Sequence, residues 1–369
     1  MNPRHLIAVG LASTLTLTCS LVGRLADAAD SLVTPPMTAD APDRATPTVA
    51  APATPTPPTS LETLYMPYAS SGQQAWHLGT GGPVQVDLPV SVGSFYGYSL
   101  ATDRILFAQV FTTHGAGPGP ISVSDLSILD LATGSVEVLL PDNVVEAMWA
   151  PNGRDLAYIL ATPSTFELHW RDGAGDDGLL ARDVTFNWNL SPAGDAIAFT
   201  RESRYALTVE PGLYVVGVDS GVEVKVSDAD AQGFGSVSDQ PIWSPDGAWV
   251  ALPIWATEQA RVSLAPADGS GAVDLQIDPA LASEWWATAA IPNFVWHPDG
   301  KHLVAAPAAS QTEMGGPVPL VAYTLDVEAG MLRGGRLIAE VGSLIGWDVP
   351  GQSVWVTSVD GIPERLALP

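Results

Sequence analysis

Lysine occurs only twice in this chain, at Lys225 and Lys301, and cysteine once, at Cys19. With 15 Lys and Arg against 40 Asp and Glu, a formal net charge of −25, there is no basic patch to follow a phosphate backbone. Nucleic acid is therefore excluded as a partner. A single cysteine rules out a disulfide framework within the chain and any paired-Cys metal or redox motif. Catalytic signatures are missing as well: there is no Gly-x-Ser-x-Gly elbow, no His-Glu-x-x-His and no P-loop. The acidity itself reads as a device for keeping a domain soluble and monomeric.

The first 60 residues do not resemble a folded core. Arg4 and His5 precede an apolar stretch over 6–22, too short for a membrane span, and Ala26-Asp27-Ala28 has the small-x-small pattern of a secretory cleavage site. Residues 1–28 are expected to be a signal peptide, and the protein to be exported, extracellular or attached to the cell surface. The alternative makes Cys19 a lipid-attachment site and so supplies a lipid anchor. Its leader, Thr16-Leu17-Thr18, has the leucine one place out of step with a bacterial lipoprotein signal. Residues 29–60 are rich in Pro, Thr and Ala, a composition that buries little and favours extended polyproline geometry, so a disordered linker is expected.

What is abundant is one repeated phrase. It reads Met148-Trp149-Ala150-Pro151-Asn152-Gly153, Trp188-Asn189-Leu190-Ser191-Pro192-Ala193-Gly194, Trp243-Ser244-Pro245-Asp246-Gly247, Trp296-His297-Pro298-Asp299-Gly300 and, degraded, Trp347-Asp348-Val349-Pro350-Gly351. A worn copy stands at Tyr98-Ser99-Leu100-Ala101-Thr102-Asp103. Proline pre-sets φ for a tight turn, Asp or Asn bonds to nearby backbone, and glycine takes the positive φ that closes it. Short apolar runs follow each phrase, such as Ala196-Ile197-Ala198-Phe199 and Trp249-Val250-Ala251-Leu252, so each phrase marks a strand, a hairpin turn and a strand. Two further strand-like segments follow in most copies, giving four strands per unit.

Trp243 to Gly247 resembles, in full, the Trp-Ser-Pro-Asp-Gly mark of TolB-type β-propeller repeats, and the other copies resemble it more loosely. The resemblance implies an all-β fold over 61–369, a single β-propeller of four-stranded antiparallel blades. The strand count gives seven blades, the first and last incomplete; the alternative is six, closed by interleaved termini. Fold alone chooses no activity, because such propellers resemble binding scaffolds, assembly factors and substrate-gating domains alike.

In such a fold the repeat turns share one face and the remaining connections share the other. The second set is long and irregular here, at 112–120, 201–211, 255–261, 283–292 and 308–317. Connections longer than folding requires tend to carry function. The candidate ligand surface is therefore the aromatic group Trp285, Trp286, Trp255 and Tyr205, with Arg201, Arg204 and Glu258 as charged neighbours. Core packing between blades is the competing reading for each Trp. A calcium loop is a further candidate, because Asp228, Asp230, Gln232 and Asp239 fall at positions 1, 3, 5 and 12 with Gly233 at position 6. Gln at 5, Asp at 12 and a preceding strand depart from that motif, and a polar connection between blades reads similarly. His297 and His302 flank one hairpin; because His297 replaces the repeat serine, a turn role is the expected reading and metal ligation the alternative. The expected function is a non-catalytic module binding a protein or glycan at the cell surface as a monomer; the alternative is a hydrolase or lyase using carboxylates in the central channel.

Overall fold

The computed structural model describes residues 63–65, 74–79, 81–109, 111–114, 121–202, 210–228, 240–255, 260–277, 292–297, 299–307, 318–327, 330–349, 352–358 and 360–368. All belong to the compact unit Ala53–Pro369. Among them are 26 strands and no helix. The first sheet is β1 (Thr63–Tyr65), β2 (Gln74–Gly79) and β3 (Gly82–Asp87). An eight-stranded sheet follows, built from β4 (Ser94–Ser99), β5 (Arg104–Ala108), β6 (Phe111–His114), β7 (Ile121–Asp130), β8 (Val136–Trp149), β9 (Leu156–Ala161), β10 (Phe166–Arg171) and β11 (Asp177–Arg182). A four-stranded sheet holds β12 (Trp188–Leu190), β13 (Ala196–Arg201), β14 (Gly212–Gly217) and β15 (Glu223–Ser227).

The second eight-stranded sheet contains β16 (Ile242–Trp243), β17 (Trp249–Trp255), β18 (Ala260–Pro266), β19 (Val273–Ile277), β20 (Pro292–Trp296), β21 (His302–Pro307), β22 (Val318–Asp326) and β23 (Met331–Val341). The last sheet is β24 (Ser343–Val349), β25 (Ser353–Thr357) and β26 (Pro363–Ala367). Each eight-stranded sheet is two four-stranded arrays joined, by different means. In the first, β8 runs on unbroken from the ladder with β7 into the ladder with β9. In the second, the outer strands β19 and β23 pair in parallel, Gln276 opposite Met331. Apart from that contact every ladder is antiparallel, as the repeat implied. Two expected connections are corrected: residues 112–114 of the segment read as 112–120 belong to strand β6, paired with β7, and Trp255, Ala260 and Arg261 of the segment read as 255–261 belong to the β17–β18 ladder.

The repeat turns are built alike. Four of the five close with a glycine N–H donated three residues back: Gly153 to Ala150 O at 2.8 Å, Gly194 to Ser191 O at 2.9 Å, Gly247 to Ser244 O at 2.9 Å and Gly300 to His297 O at 2.9 Å. Gly247 has φ +69° and nothing within 4 Å of where a Cβ would stand, so only the left-handed backbone requires glycine there. Gly247→Val should therefore lower stability by about 1 kcal/mol, the cost of forcing a β-branched residue into that region. An unchanged urea midpoint would contradict this account of the turn.

Alternation explains the core. In β5, Ile105 and Phe107 pack with Leu64 and Ala75 of the first sheet, while Leu106 between them packs with Leu156 and Tyr158 on the other side. The pattern repeats: Ile197 and Phe199 of β13 meet Ala157 and Ile159, and Ala198 meets Val250 and Leu252. Ala251 then meets Phe294 and Leu303, and Val304 meets Val354 and Val356. A strand buried on both faces reads as a continuous apolar run, and these middle strands do. The first strands of successive arrays stand side by side, β1 with β4, β4 with β8, β12 with β16, β16 with β20 and β20 with β24, and β26 packs on β3, bringing the last sheet against the first.

Candidate functional site

Two repeat tryptophans tie their inner strand to the one before, whereas Trp149 Nε1 is buried without a hydrogen-bond partner. Trp243 Nε1 donates to Asn189 O at 3.0 Å, and Trp296 Nε1 to Ile242 O at 3.1 Å. At the junction of β8 and β12 a side chain takes the place of that carbonyl: Trp188 Nε1 donates to Glu146 Oε2 at 2.9 Å. The second oxygen, Glu146 Oε1, accepts from Gln240 Nε2 at 3.0 Å. Gln240 lies just ahead of β16, and β12 stands between β16 and β8. The Gln240–Glu146 bond therefore reaches past β12. Glu146, Trp188 and Gln240 thus gather a carboxyl, an indole and an amide from three arrays at one point. Glu146 stands near the start of the ladder of β8 with β9, Trp188 begins β12 and Gln240 precedes β16.

Protein crowds Glu146 closely although some of its surface still reaches solvent. Burial pushes its carboxyl up to about 7, against the two hydrogen bonds, which act to lower it. A carboxyl poised there can be donor or acceptor near neutrality. Tyr96 of β4 extends the cluster. Its Oη lies 2.9 Å from Ser124 Oγ and donates to Val145 O at 3.4 Å. Burial raises the phenol's pKa first, the Ser124 bond opposes this, and the negative charges of Glu146 and Asp125 raise it further. Asp125 is held by the Gln109 N–H at 2.9 Å and the Ser127 hydroxyl at 2.7 Å.

The sequence candidates are distributed differently. Arg201 ends β13 and is buried, 5 % exposed. Its guanidinium donates to Arg182 O at 3.2 and 3.0 Å, pairs with Glu223 at 2.8 Å and lies over the Phe199 and Tyr214 rings at 5.1 and 4.4 Å. These contacts make it a clamp between β11, β14 and β15. Asp228 is exposed and pairs with Lys225 Nζ at 2.6 Å, so a calcium ion there would have to displace the ammonium. The Asp228 hydrogen bond is also the main cause that raises the Lys225 pKa. Trp255 closes the β17–β18 ladder opposite Ala260. Trp285, Trp286, Tyr205, Arg204, Glu258, Asp230, Gln232, Asp239 and Cys19 lie outside the described residues.

Sequence reading missed Glu146, although a signal was there. Three residues ahead of the repeat Trp stand Glu146, Thr185, Gln240 and Asn293 in four successive copies, a polar position repeated at a fixed offset from the Trp. Thr185 is buried with its Oγ1 2.5 Å from Thr200 Oγ1. A broad cleft of about 670 Å³ lies elsewhere, near the repeat turns, lined by Thr102, Arg104, Glu137, Trp149, Arg154 and Arg171. Two of its arginines are ion-paired, to Asp130 and to Asp177. We take the chemistry at Glu146 as the better marker of a site than the size of that cleft.

No known protein-family model matches this chain, and no curated protein does. Solved β-propellers, TolB among them, are similar to it. TolB from Acinetobacter baumannii is 16 % identical with a TM-score of 0.44, over 71 % of this chain and 60 % of that one. Porphyromonas gingivalis dipeptidyl peptidase 4 is 12 % identical with a TM-score of 0.47, over 81 % of this chain and 52 % of that one. The chain thus spans about three fifths and one half of the length of these two. The Myceliophteria thermophila Cps50 (Swd1) β-propeller domain is 12 % identical with a TM-score of 0.43, over 84 % and 96 %. No ligand or activity follows from them for this chain.

Proposed function

We propose that this chain is an exported, non-catalytic recognition propeller of seven blades, binding a protein or glycan of the cell surface through the face opposite the repeat turns. The order of inner strands β1, β4, β8, β12, β16, β20 and β24 supports the blade number. The observation that carries the binding reading is the Gln240–Glu146 hydrogen bond past β12. It brings polar groups of three arrays together at the end of the ring where the long connections begin, and a ligand seated there would meet a fixed donor and acceptor set over a rigid frame. Tryptophans on those connections would supply apolar contact around it.

A screen of the purified chain against cell-wall glycans and surface proteins tests this. Trp285→Ala combined with Trp286→Ala is expected to abolish binding while circular dichroism stays unchanged. Were the pair core instead, the double variant would lose roughly 3–5 kcal/mol per ring and unfold. The raised pKa of Glu146 favours one second reading, a general acid in a hydrolase. It would be supported if the wild-type chain released product from a glycan and Glu146→Gln did not; binding without turnover by the wild type would leave the recognition reading.

A further inference from the structure

We propose that His297, Asp299 and His302 form a site for one divalent transition-metal ion of the zinc, nickel and copper class, on the repeat-turn face. Their ligand atoms all lie within 4.8 Å of one another, and among the described residues no other group of three His, Cys, Asp or Glu side chains comes together in this way. Asp299 Oδ1 is 2.9 Å from His297 Nδ1, and Asp299 Oδ2 is 2.6 Å from His302 Nδ1. The two rings stand 5.6 Å apart, nearly perpendicular. His169 shows the contrast. It offers one ring nitrogen to Glu167 and the other to Asp177, each at 3.3 Å, so those carboxylates sit at different edges of the ring and share no central point.

The turn does not need the two imidazoles. The preceding copy, Ser244 to Trp249, closes with the same backbone hydrogen bond: Ser244 N donates to Trp249 O at 2.8 Å, as His297 N does to His302 O at 2.8 Å. Asp246 there accepts from Ala248 N at 3.0 Å, as Asp299 accepts from Lys301 N at 2.8 Å. The aspartate is therefore accounted for by the turn, whereas Ser244 and Trp249 occupy the two histidine positions without loss of that architecture. What the histidines add is two borderline-soft nitrogen donors beside a carboxylate, a set that suits Zn²⁺, Ni²⁺ or Cu²⁺ and not the all-oxygen shells of Ca²⁺ and Mg²⁺.

Three ligands on a six-residue hairpin are already ordered by folding, so binding an ion costs little further chain entropy. Binding asks two local changes: the His302 Nδ1 proton must leave, and the His297 Nδ1 lone pair must turn from the Asp299 N–H, 3.1 Å away, to the ion. The side chains are 24, 36 and 43 % exposed, so water can satisfy the released N–H and fill the remaining coordination positions. The net charge of −25 raises the local concentration of any cation.

The test is calorimetric titration of the untagged full chain with ZnCl₂, NiCl₂ and CuCl₂. One ion per chain is expected. His297→Ser, which restores the residue of the preceding copy, should keep the metal-free melting temperature and weaken affinity roughly tenfold or more. His302→Gln should do the same, and His169→Gln should bind as the wild type does. Copper-bound protein should show nitrogen coupling in its electron paramagnetic resonance spectrum that diminishes in either ligand variant. Absence of saturable binding by the wild type, wild-type affinity in both ligand variants, or loss confined to His169→Gln would each overturn the proposal.

Discussion

Glu146→Gln should stabilise the protein at pH 8 and leave it unchanged at pH 4. The folded carboxyl has its pKa raised to about 7, above its ordinary value of 4.5, so between those values the folded chain holds a proton that the unfolded chain has released. Stability therefore falls as pH rises through that window, by about 3 kcal/mol in total. Glutamine keeps the shape and stays neutral throughout: its carbonyl can accept from the Trp188 indole, and a turned Gln240 amide can accept from its NH₂. With so many other acids titrating, absolute stability against pH is uninformative. The difference between variant and wild type isolates this one group, and it should grow from near zero at pH 4 to about 3 kcal/mol at pH 8, several degrees in Tm. A difference that stays constant with pH would remove the argument that Glu146 is held against its own ionisation. If ligand binding fails in the stabilised variant, the carboxylate is retained for function at a cost in stability.

Trp188→Ala should lose about 4 kcal/mol. The ring is fully buried between β9 and β13, so truncation removes a large apolar surface and leaves a cavity that the flanking strands close only in part. It also strips Glu146 Oε2 of its donor. Urea unfolding would show the loss as a lower midpoint, and a double variant with Glu146→Gln would show less than the summed effects, because the two residues share one contact. A loss under about 1 kcal/mol would mean that the repeat tryptophan is not a wedge between arrays.

Turn chemistry was legible because it is local. Pro151, Pro192, Pro245 and Pro298, each followed two residues later by glycine, encode their hairpins without help from the rest of the chain. The twofold burial of the middle strands was legible in runs such as Ile105-Leu106-Phe107-Ala108. Arg201 was misleading for a physical reason: a charged residue at the end of an apolar strand reads as the start of a loop, yet Glu223 and two aromatic rings make burial favourable. Glu146 was passed over because its partners, 42 and 94 residues away, exist only once the ring has formed. The pairing of β19 with β23 has no local signal either, since an outer strand's sequence does not say which edge will meet it.

The unbroken β8 governs how this chain can be divided and recombined. Val136 to Val144 pair with β7, and Val144 to Trp149 pair with β9, with no turn between. A break or insertion near residue 143 would take an outer strand from one array and an inner strand from the next. The connection from β15 to β16 instead falls between two separate sheets. Exchange of modules, by duplication or by design, is therefore open at that later junction and closed at β8, where two arrays must be inherited as one block.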